Sequence, residues 1–279
     1  MSSSSVHTNV SALSALQNLN KTNERLADVQ SRVNTGLKVQ GAKDNASIWA
    51  IAQGQRADLG ALNSVKMSLD RATSITDVSL AAGESISDLL IQLKEKVVAA
   101  RDESLSSQSR ELLNADFQAL LRSISSAIEN AEFDGANLFS GLGGNIQFLA
   151  NADATSRLTL STRTLAVGGS NITIPATSSI TSVPLASTAL GLLNASITNV
   201  NQALGNLGSQ AKQVEAHLDF VSKLTDVLEA GVGNLVDADL AKESARLQAL
   251  QVQQQLGAQA LSIANSAPQI ILQLFRGGG

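Results

Sequence analysis

Between Leu62 and Ala100, apolar side chains recur every seven positions in two interleaved rows. Leu62, Leu69, Leu90 and Val97 share one row with Thr76 and Gly83, and Val65, Ala72, Ile86, Leu93 and Ala100 share the other with Ser79. Steps of three and four bring such residues onto one face of a helix. Thr76, Ser79 and Gly83 interrupt the rows close together and predict a weak middle. A second helix carries Leu113, Phe117, Leu120, Ile124, Ala127 and Ala131, and the turn pair Asp134-Gly135 ends it. The most regular rhythm comes later, in Leu193, Ile197, Val200, Leu204, Leu207, Ala211, Val214, Leu218, Val221, Thr225 and Leu228. Only Thr225 is polar there, so the stretch reads as a coiled-coil seam.

Both ends of the chain carry poorer helical stripes. Leu19, Leu26 and Val33 recur every seven positions with Val29 between them, but Thr22 occupies the same stripe. Near the other end Leu240, Leu247, Leu250, Leu261 and Ala264 form a stripe interrupted by Gln254 and Gly257. Helices with such seams do not hold alone in water, so both termini are expected to be disordered in an isolated subunit and to order against partners. Gln254 sits in a tract with Gln251, Gln253, Gln255 and Gln259, and its seam position suggests side-chain hydrogen bonding between subunits.

The middle of the chain changes period. Ile146/Phe148, Leu158/Leu160, Leu165/Val167 and Ile172/Ile174 alternate with mostly polar neighbours, and Gly143-Gly144 and Gly168-Gly169 break the runs. That pattern predicts short hairpin strands, and residues 176–182, small and polar, predict a loop. All three prolines, Pro175, Pro184 and Pro268, fall outside the long helical patterns, where a proline would cost a helix interior about 3 kcal/mol.

The expected fold is therefore mainly α: an elongated antiparallel coiled-coil or helical bundle with its N- and C-termini paired, plus a small β-hairpin-rich segment in mid-chain. Residues 1–45 and 235–279 read as the paired terminal helices, 46–140 and 186–234 as a helical rod, and 141–185 as a hairpin and loop tip.

Composition sharpens this picture. Aromatic residues are 3% of the 279, tyrosine is absent and Trp49 is the single tryptophan. Thin seams of Leu, Val, Ile and Ala must do what large aromatic side chains do in thick cores. Charged residues are 16% and the net charge is −4, which gives no electrostatic case for nucleic acid and only weak repulsion between copies. There is no cysteine, hence no disulfide or thiolate metal site. No apolar run approaches the roughly 18 residues of a membrane span. The N-terminal residues Met1–His7 lack the basic and apolar regions of a cleaved signal.

Candidate chemistry is sparse. His7 and His217 are the only histidines, so no two-histidine metal motif at helical spacing exists. No phosphate-binding loop, nucleophile elbow or dinucleotide fingerprint is present. The carboxylate pairs Glu24/Asp28 and Asp237/Asp239 fall in helical pattern and read as solvated. No cofactor, metal or catalytic residue is expected. The hydroxyls of Thr177, Ser178, Ser179 and Thr181, expected to face outward, are candidate O-glycosylation sites.

Two long stretches go beyond periodicity. Thr8-Asn-Val-Ser-Ala-Leu-Ser-Ala-Leu-Gln-Asn-Leu-Asn20, continuing to Arg32-Val-Asn-Thr-Gly-Leu-Lys-Val-Gln-Gly-Ala-Lys-Asp-Asn-Ala46, resembles the N-terminal signature of bacterial flagellins. Leu235-Val-Asp-Ala-Asp-Leu-Ala-Lys-Glu-Ser244 and Ala267-Pro-Gln-Ile-Ile-Leu-Gln-Leu-Phe-Arg276 resemble the C-terminal one. Asn130-Ala-Glu-Phe-Asp-Gly-Ala-Asn-Leu-Phe-Ser-Gly141 is similar to the segment leading into the family's first hairpin. Segment 141–185 leaves no room for large outer domains, Ile48-Trp49 replaces smaller or aliphatic residues, and Gly277–Gly279 extends the usual ending.

The resemblance implies a short flagellin, an extracellular structural subunit that polymerises into a helical filament for swimming and has no enzymatic activity. It implies type III export without signal cleavage, and self-assembly that can include sister flagellins. Its implied partners are a secretion chaperone on the C-terminal helix, a filament cap and hook-junction proteins. Leu19, Leu26, Val29, Val33, Leu240, Leu247, Leu250, Gln254 and Leu261 would pack subunits together. At Leu90–Val98, Gln92 and Lys96 stand where an arginine and a leucine are common in the stretch contacted by the innate receptor for flagellin, which implies weak receptor recognition. The alternatives are a hook–filament junction protein of the same terminal architecture or, in another class, a secreted coiled-coil adhesin or translocator.

Overall fold

A computed structural model describes the backbone of residues 9–141 and 144–276, with side chains through Ser266. His7, the Thr8 start of the N-terminal signature, Gly143, Gly277–Gly279 and the side chains of residues 267–276 lie outside the described residues. The order is α1 (Val10–Thr35), α2 (Ala46–Ala100), α3 (Ser107–Glu129), β1 (Ile146–Leu149), β2 (Arg157–Leu160), α4 (Val183–Val236) and α5 (Leu240–Arg276). This is the mainly helical architecture that the periodicities predict, with a single two-stranded hairpin in the segment expected to be hairpin-rich. The chain divides into two compact units, residues 1–56 with 228–279, and residues 57–227.

In the second unit both seven-residue rows of α2 are buried, with Leu69, Ala72, Ile86, Leu90, Leu93 and Val97 fully inaccessible. The expected weak middle is instead closely packed. Thr76 and Ser79 are buried, but their hydroxyls donate back to helix carbonyls, Thr76 to Thr73 at 2.8 Å and Ser79 to Ile75 at 2.7 Å. No polar group is left bare by that burial. Gly83 is a notch: a β-carbon there would lie 2.2 Å from Leu204 Cδ2 and 3.2 Å from Phe139 Cζ. Three residues that look like defects in an apolar row are thus buried within it, and Gly83 is where a neighbouring side chain comes close.

Tertiary packing shifts other rows by one residue. In α3 the buried set is Phe117, Leu121, Ile124 and Ile128, whereas the expected Leu120 and Ala127 are half-buried. In α4 the small residues Ser196 and Ala203 are buried and Ile197 and Leu204 lie half-buried beside them. Ser196 faces inward because its hydroxyl accepts the Thr173 N–H at 2.9 Å while donating to Leu192 O at 2.8 Å. A helix with apolar residues at adjacent positions leaves this choice to its neighbours.

Helix ends follow local chemistry. Ser106 caps α3, its hydroxyl accepting from Ser109 N–H at 3.1 Å. Asp102 accepts both the N–H and the hydroxyl of Ser104, at 2.9 and 2.8 Å, in the turn after α2. The Ser104 backbone bond, more than any other neighbour, holds the Asp102 carboxyl below its ordinary pKa. α3 stops at Glu129, ahead of the expected Asp134-Gly135. That pair, both with φ > 0 (50° and 76°), makes the two-residue turn between Phe133 and Ala136, which exchange hydrogen bonds of 3.0 and 2.9 Å.

β1 and β2 pair antiparallel, Ile146 opposite Leu160 and Phe148 opposite Leu158. The hairpin is tied to both long helices: Leu149 N–H donates to Ser68 Oγ (3.2 Å), and His217 Nε2 lies 2.8 Å from Ala150 O. The other two expected strands do not form a ladder. Leu165, Ile172 and Ile174 are fully buried, but 165–174 contains only the isolated Val167–Ile172 bridge. Their amides are spent elsewhere, Leu165 N–H on Phe139 O at 3.0 Å and Thr173 N–H on Ser196.

Pro184 sits in the first turn of α4, where its missing N–H costs nothing. Pro268, expected outside the helices, lies within α5.

Filling the Gly83 notch should destabilise the second unit. Gly83→Leu is expected to cost about 1–3 kcal/mol, read as a lower midpoint in urea unfolding, and Leu204→Ala in the same chain should recover part of the loss.

Candidate functional site

The first unit is built where the two ends of the chain meet. α1 begins at Asn9, whose Oδ1 accepts the Ala12 N–H at 3.0 Å, and ends at Gly36 in the left-handed conformation (φ 73°), whose N–H returns to Arg32 O at 2.9 Å. Just past that cap the chain is clasped to the junction between α4 and α5. Lys38 N–H donates to Val236 O at 2.7 Å and Ala238 N–H to Gly36 O at 2.8 Å, while Lys38 Nζ reaches Asn234 O at 2.8 Å. Asp44 accepts the Gln40 and Gly41 amides, at 2.8 and 3.2 Å, and Asn45 caps α2 through Ile48 N–H. Residues 36–39 and 236–238 thus pair backbone groups across the two stretches, and Asp44 and Asn45 bond the amides beside them.

From this clasp α1 and α5 run antiparallel. The α1 row facing its partner is Ala12, Ala15, Leu19, Thr22, Leu26, Val29 and Val33, of which Leu26 and Val29 are buried and the rest half-buried. The α5 row is Glu243, Leu247, Leu250, Gln254, Gly257, Leu261 and Ala264. Its two apparent interruptions fit the partner. A β-carbon at Gly257 would stand 3.2 Å from Leu19 Cδ1, so the glycine makes room for that leucine. Gln254 Nε2 donates to Asn23 Oδ1 at 2.8 Å within the same chain. Leu240 is half exposed, at 50%.

Glu243 is the seam residue that sequence reasoning missed. Its side chain is 7% exposed; Oε1 accepts from Arg246 at 2.7 Å and lies 3.9 Å from Arg32, and Oε2 has no hydrogen-bond partner among the described residues. The signal was the three-four step linking Leu240, Glu243 and Leu247. The carboxylates Glu24, Asp28, Asp237 and Asp239 are exposed.

A second apolar row is left bare on each terminal helix. Val10 (61%), Leu13 and Leu16 project from α1, and Val252, Leu256 (63%) and Ile263 project from α5 at helical spacing. A pair of helices can cover only one face of each. Fully burying one such leucine contributes on the order of 2 kcal/mol.

The rod residues expected as seams are placed as follows. Leu62, Leu69, Leu90, Leu93, Val97, Phe117, Leu193, Val200, Leu207, Val214 and Val221 are buried, and Ile197, Leu204, Leu218 and Leu228 are half-buried. Thr177 and Thr181 are exposed; Ser178 and Ser179 are half-buried, and the Ser179 hydroxyl donates to Asn114 Oδ1 at 3.1 Å. Gln92 is exposed, while Lys96 is held in an ion pair with Asp116 at 2.7 Å. Among the described residues there is no metal-ligating cluster, and no helix is long and apolar enough to cross a membrane.

Residues 6–143 match the bacterial flagellin N-terminal helical region, and residues 190–275 match the bacterial flagellin C-terminal helical region. The chain is 52% identical to flagellin FljJ of Caulobacter vibrioides, over 98% of its own length and 99% of that protein's. It is 38% identical to a flagellin of Brucella melitensis, again over 98% and 99% of the two chains. Its fold also resembles a flagellar hook-associated protein of Vibrio parahaemolyticus, with a TM-score of 0.58, 13% identity, and coverage of 70% of this chain and 100% of that one. The matched regions include both clasped stretches and both terminal helices, and they place this chain in the bacterial flagellin family.

Proposed function

We propose that this flagellin assembles by covering the bare rows of α1 and α5 with the same helices of neighbouring copies. Family membership makes the chain a structural subunit of the flagellar filament, which lies outside the cell. The observation that carries the proposed route is the pair of unpartnered apolar rows, Val10/Leu13/Leu16 and Val252/Leu256/Ile263, on helices whose other faces already meet. Contacts of this kind join different surfaces of successive copies, so they propagate into an open helix and do not close.

The terminal helices order on incorporation. In α1 only Leu26 and Val29 are buried by the pairing, too little apolar surface to offset the conformational entropy of two long helices. Growth is thereby confined to a filament end, where a docking surface already exists. Before export the bare row of α5 suits a secretion chaperone, and the chain leaves the cell without signal cleavage. At the growing end it meets a filament cap, and at the base the hook-junction proteins. Flagellins FljJ, FljM, FljO, FljK and FljN all occur in Caulobacter vibrioides, and mixed filaments with sister flagellins follow from their shared terminal helices. The subunit performs no catalysis, and Thr177 and Thr181 are its accessible hydroxyls for glycosylation.

Seeded polymerisation followed by electron microscopy tests the assembly route. Leu256→Asp is expected to abolish elongation while the thermal midpoint of the second unit stays unchanged; normal filaments from that variant would sink the route. In the isolated subunit, backbone amides of residues 10–33 and 240–264 should exchange with solvent at nearly unprotected rates, and strong protection would contradict ordering on incorporation. Receptor reporter cells should respond weakly to purified monomer, because Gln92 supplies no charge and Lys96 is engaged with Asp116. Full potency would refute that expectation.

A further inference from the structure

A proline inside a helix lacks the N–H that would bond the carbonyl four residues earlier, and its ring presses on that carbonyl. In α5 the proline is Pro268 and the carbonyl belongs to Ala264. That carbonyl is nevertheless bonded: Asn9 Nδ2 donates to it at 2.7 Å. The same side chain caps α1, its Oδ1 accepting from Ala12 N–H at 3.0 Å. One amide group therefore completes both helices, with the acceptor serving the start of α1 and the donor replacing what Pro268 removes from α5.

We propose that Asn9 is a positioning residue for assembly, a latch that closes the far end of the α1/α5 pair and lets α5 continue through Pro268 only when α1 lies alongside. The inference rests on the filament reading and deepens it. The clasp at Gly36–Val39 and Val236–Ala238 aligns the two helices at one end. Beyond the Gln254–Asn23 contact the facing rows are mostly apolar and repeat every three or four residues, and apolar contact is not directional, so toward the far end only the seat of Leu19 at Gly257 opposes a displacement of one turn. The Asn9–Ala264 bond has no equivalent one turn away. Unpaired, Ala264 O would be a bare carbonyl next to a proline, a place where a helix breaks; paired, it is satisfied. Pairing and the continuity of the last part of α5 are thus one event.

The test is a double-mutant cycle on the full chain, read as the critical concentration for polymerisation. Asn9→Ser keeps an N-cap acceptor of equal quality but is too short to reach Ala264 as a donor. Pro268→Ala restores the helix's own N–H, making the latch redundant. N9S alone is expected to raise the critical concentration roughly five- to tenfold, and N9S in the P268A chain less than about twofold. An equal effect in both backgrounds, or none in either, overturns the latch. Should N9S fail to polymerise at all, growth restored by adding P268A supports the latch and continued failure overturns it. A second readout needs no proline variant. In filaments grown from wild-type seeds, backbone amides of residues 269–276 should exchange faster in N9S than in the wild type, and those of 243–256 should not. Unchanged exchange beyond Pro268 overturns the latch. A wild-type chain that never polymerised would instead remove the filament reading itself, so the two failures are distinct.

Discussion

A single helix pair can bury only one face of each member, and the behaviour of the terminal unit follows from that limit. α1 has two buried residues, Leu26 and Val29, among its described positions, and its remaining apolar row faces outward. The deficit cannot be corrected within the pair, because a wider apolar face on either helix would add surface with nothing to cover it. In the proposed route copies of the chain are the cover. They present the same helices at the same spacing, and the low charge of the sequence leaves little repulsion to overcome.

Both units also meet a second problem, long helices that must approach closely with few large side chains. Gly83 accommodates Leu204 and Phe139, Gly257 accommodates Leu19, and Ser196 brings the 172–174 segment onto α4 through its hydroxyl. At each of the two glycines a larger side chain from a neighbour fills the space, which gives close packing without aromatic bulk. Hydroxyls inside these seams cost little because they bond to carbonyls of their own helix, as Thr76 and Ser79 do. The scarcity of aromatic residues is consistent with thin packed layers of this kind.

Much of this was legible in the sequence. Seven-residue rows place α2 and α4, the Ile146/Phe148 and Leu158/Leu160 alternation places the hairpin, and the terminal stripes give a pair. What periodicity could not decide was which of two adjacent residues turns inward, as with Leu120 against Leu121 or Ile197 against Ser196, because both satisfy a three-four rhythm and the choice belongs to a neighbour. Strand-like alternation at Leu165 and Ile172 reflects burial alone, since the backbone there finds partners in Phe139 and Ser196 and forms no ladder. Pro268 was misplaced because a proline signals a break only if nothing else bonds the orphaned carbonyl. Glu243 was missed because a charge in a seam looks like an end to it. With Arg246 and Arg32 nearby, the row continues through Glu243.

These polar groups divide the work of the first unit. The clasp, Glu243 with its arginines and Gln254 on Asn23 are directional contacts, all lying between α1 and α5 or where they are joined. A polar group buried without its partner is costly, so each of them penalises misalignment within the chain. The outward rows are different: Val10, Leu13, Leu16, Val252, Leu256 and Ile263 have no side-chain donors or acceptors to satisfy. Covering them gains apolar burial with little desolvation of polar groups, whichever copy provides the cover. Under the proposed assembly, polar contacts set the geometry of each α1/α5 pair as it orders at the filament end and the apolar rows supply the adhesion, so every incorporated subunit presents the same surface to the next.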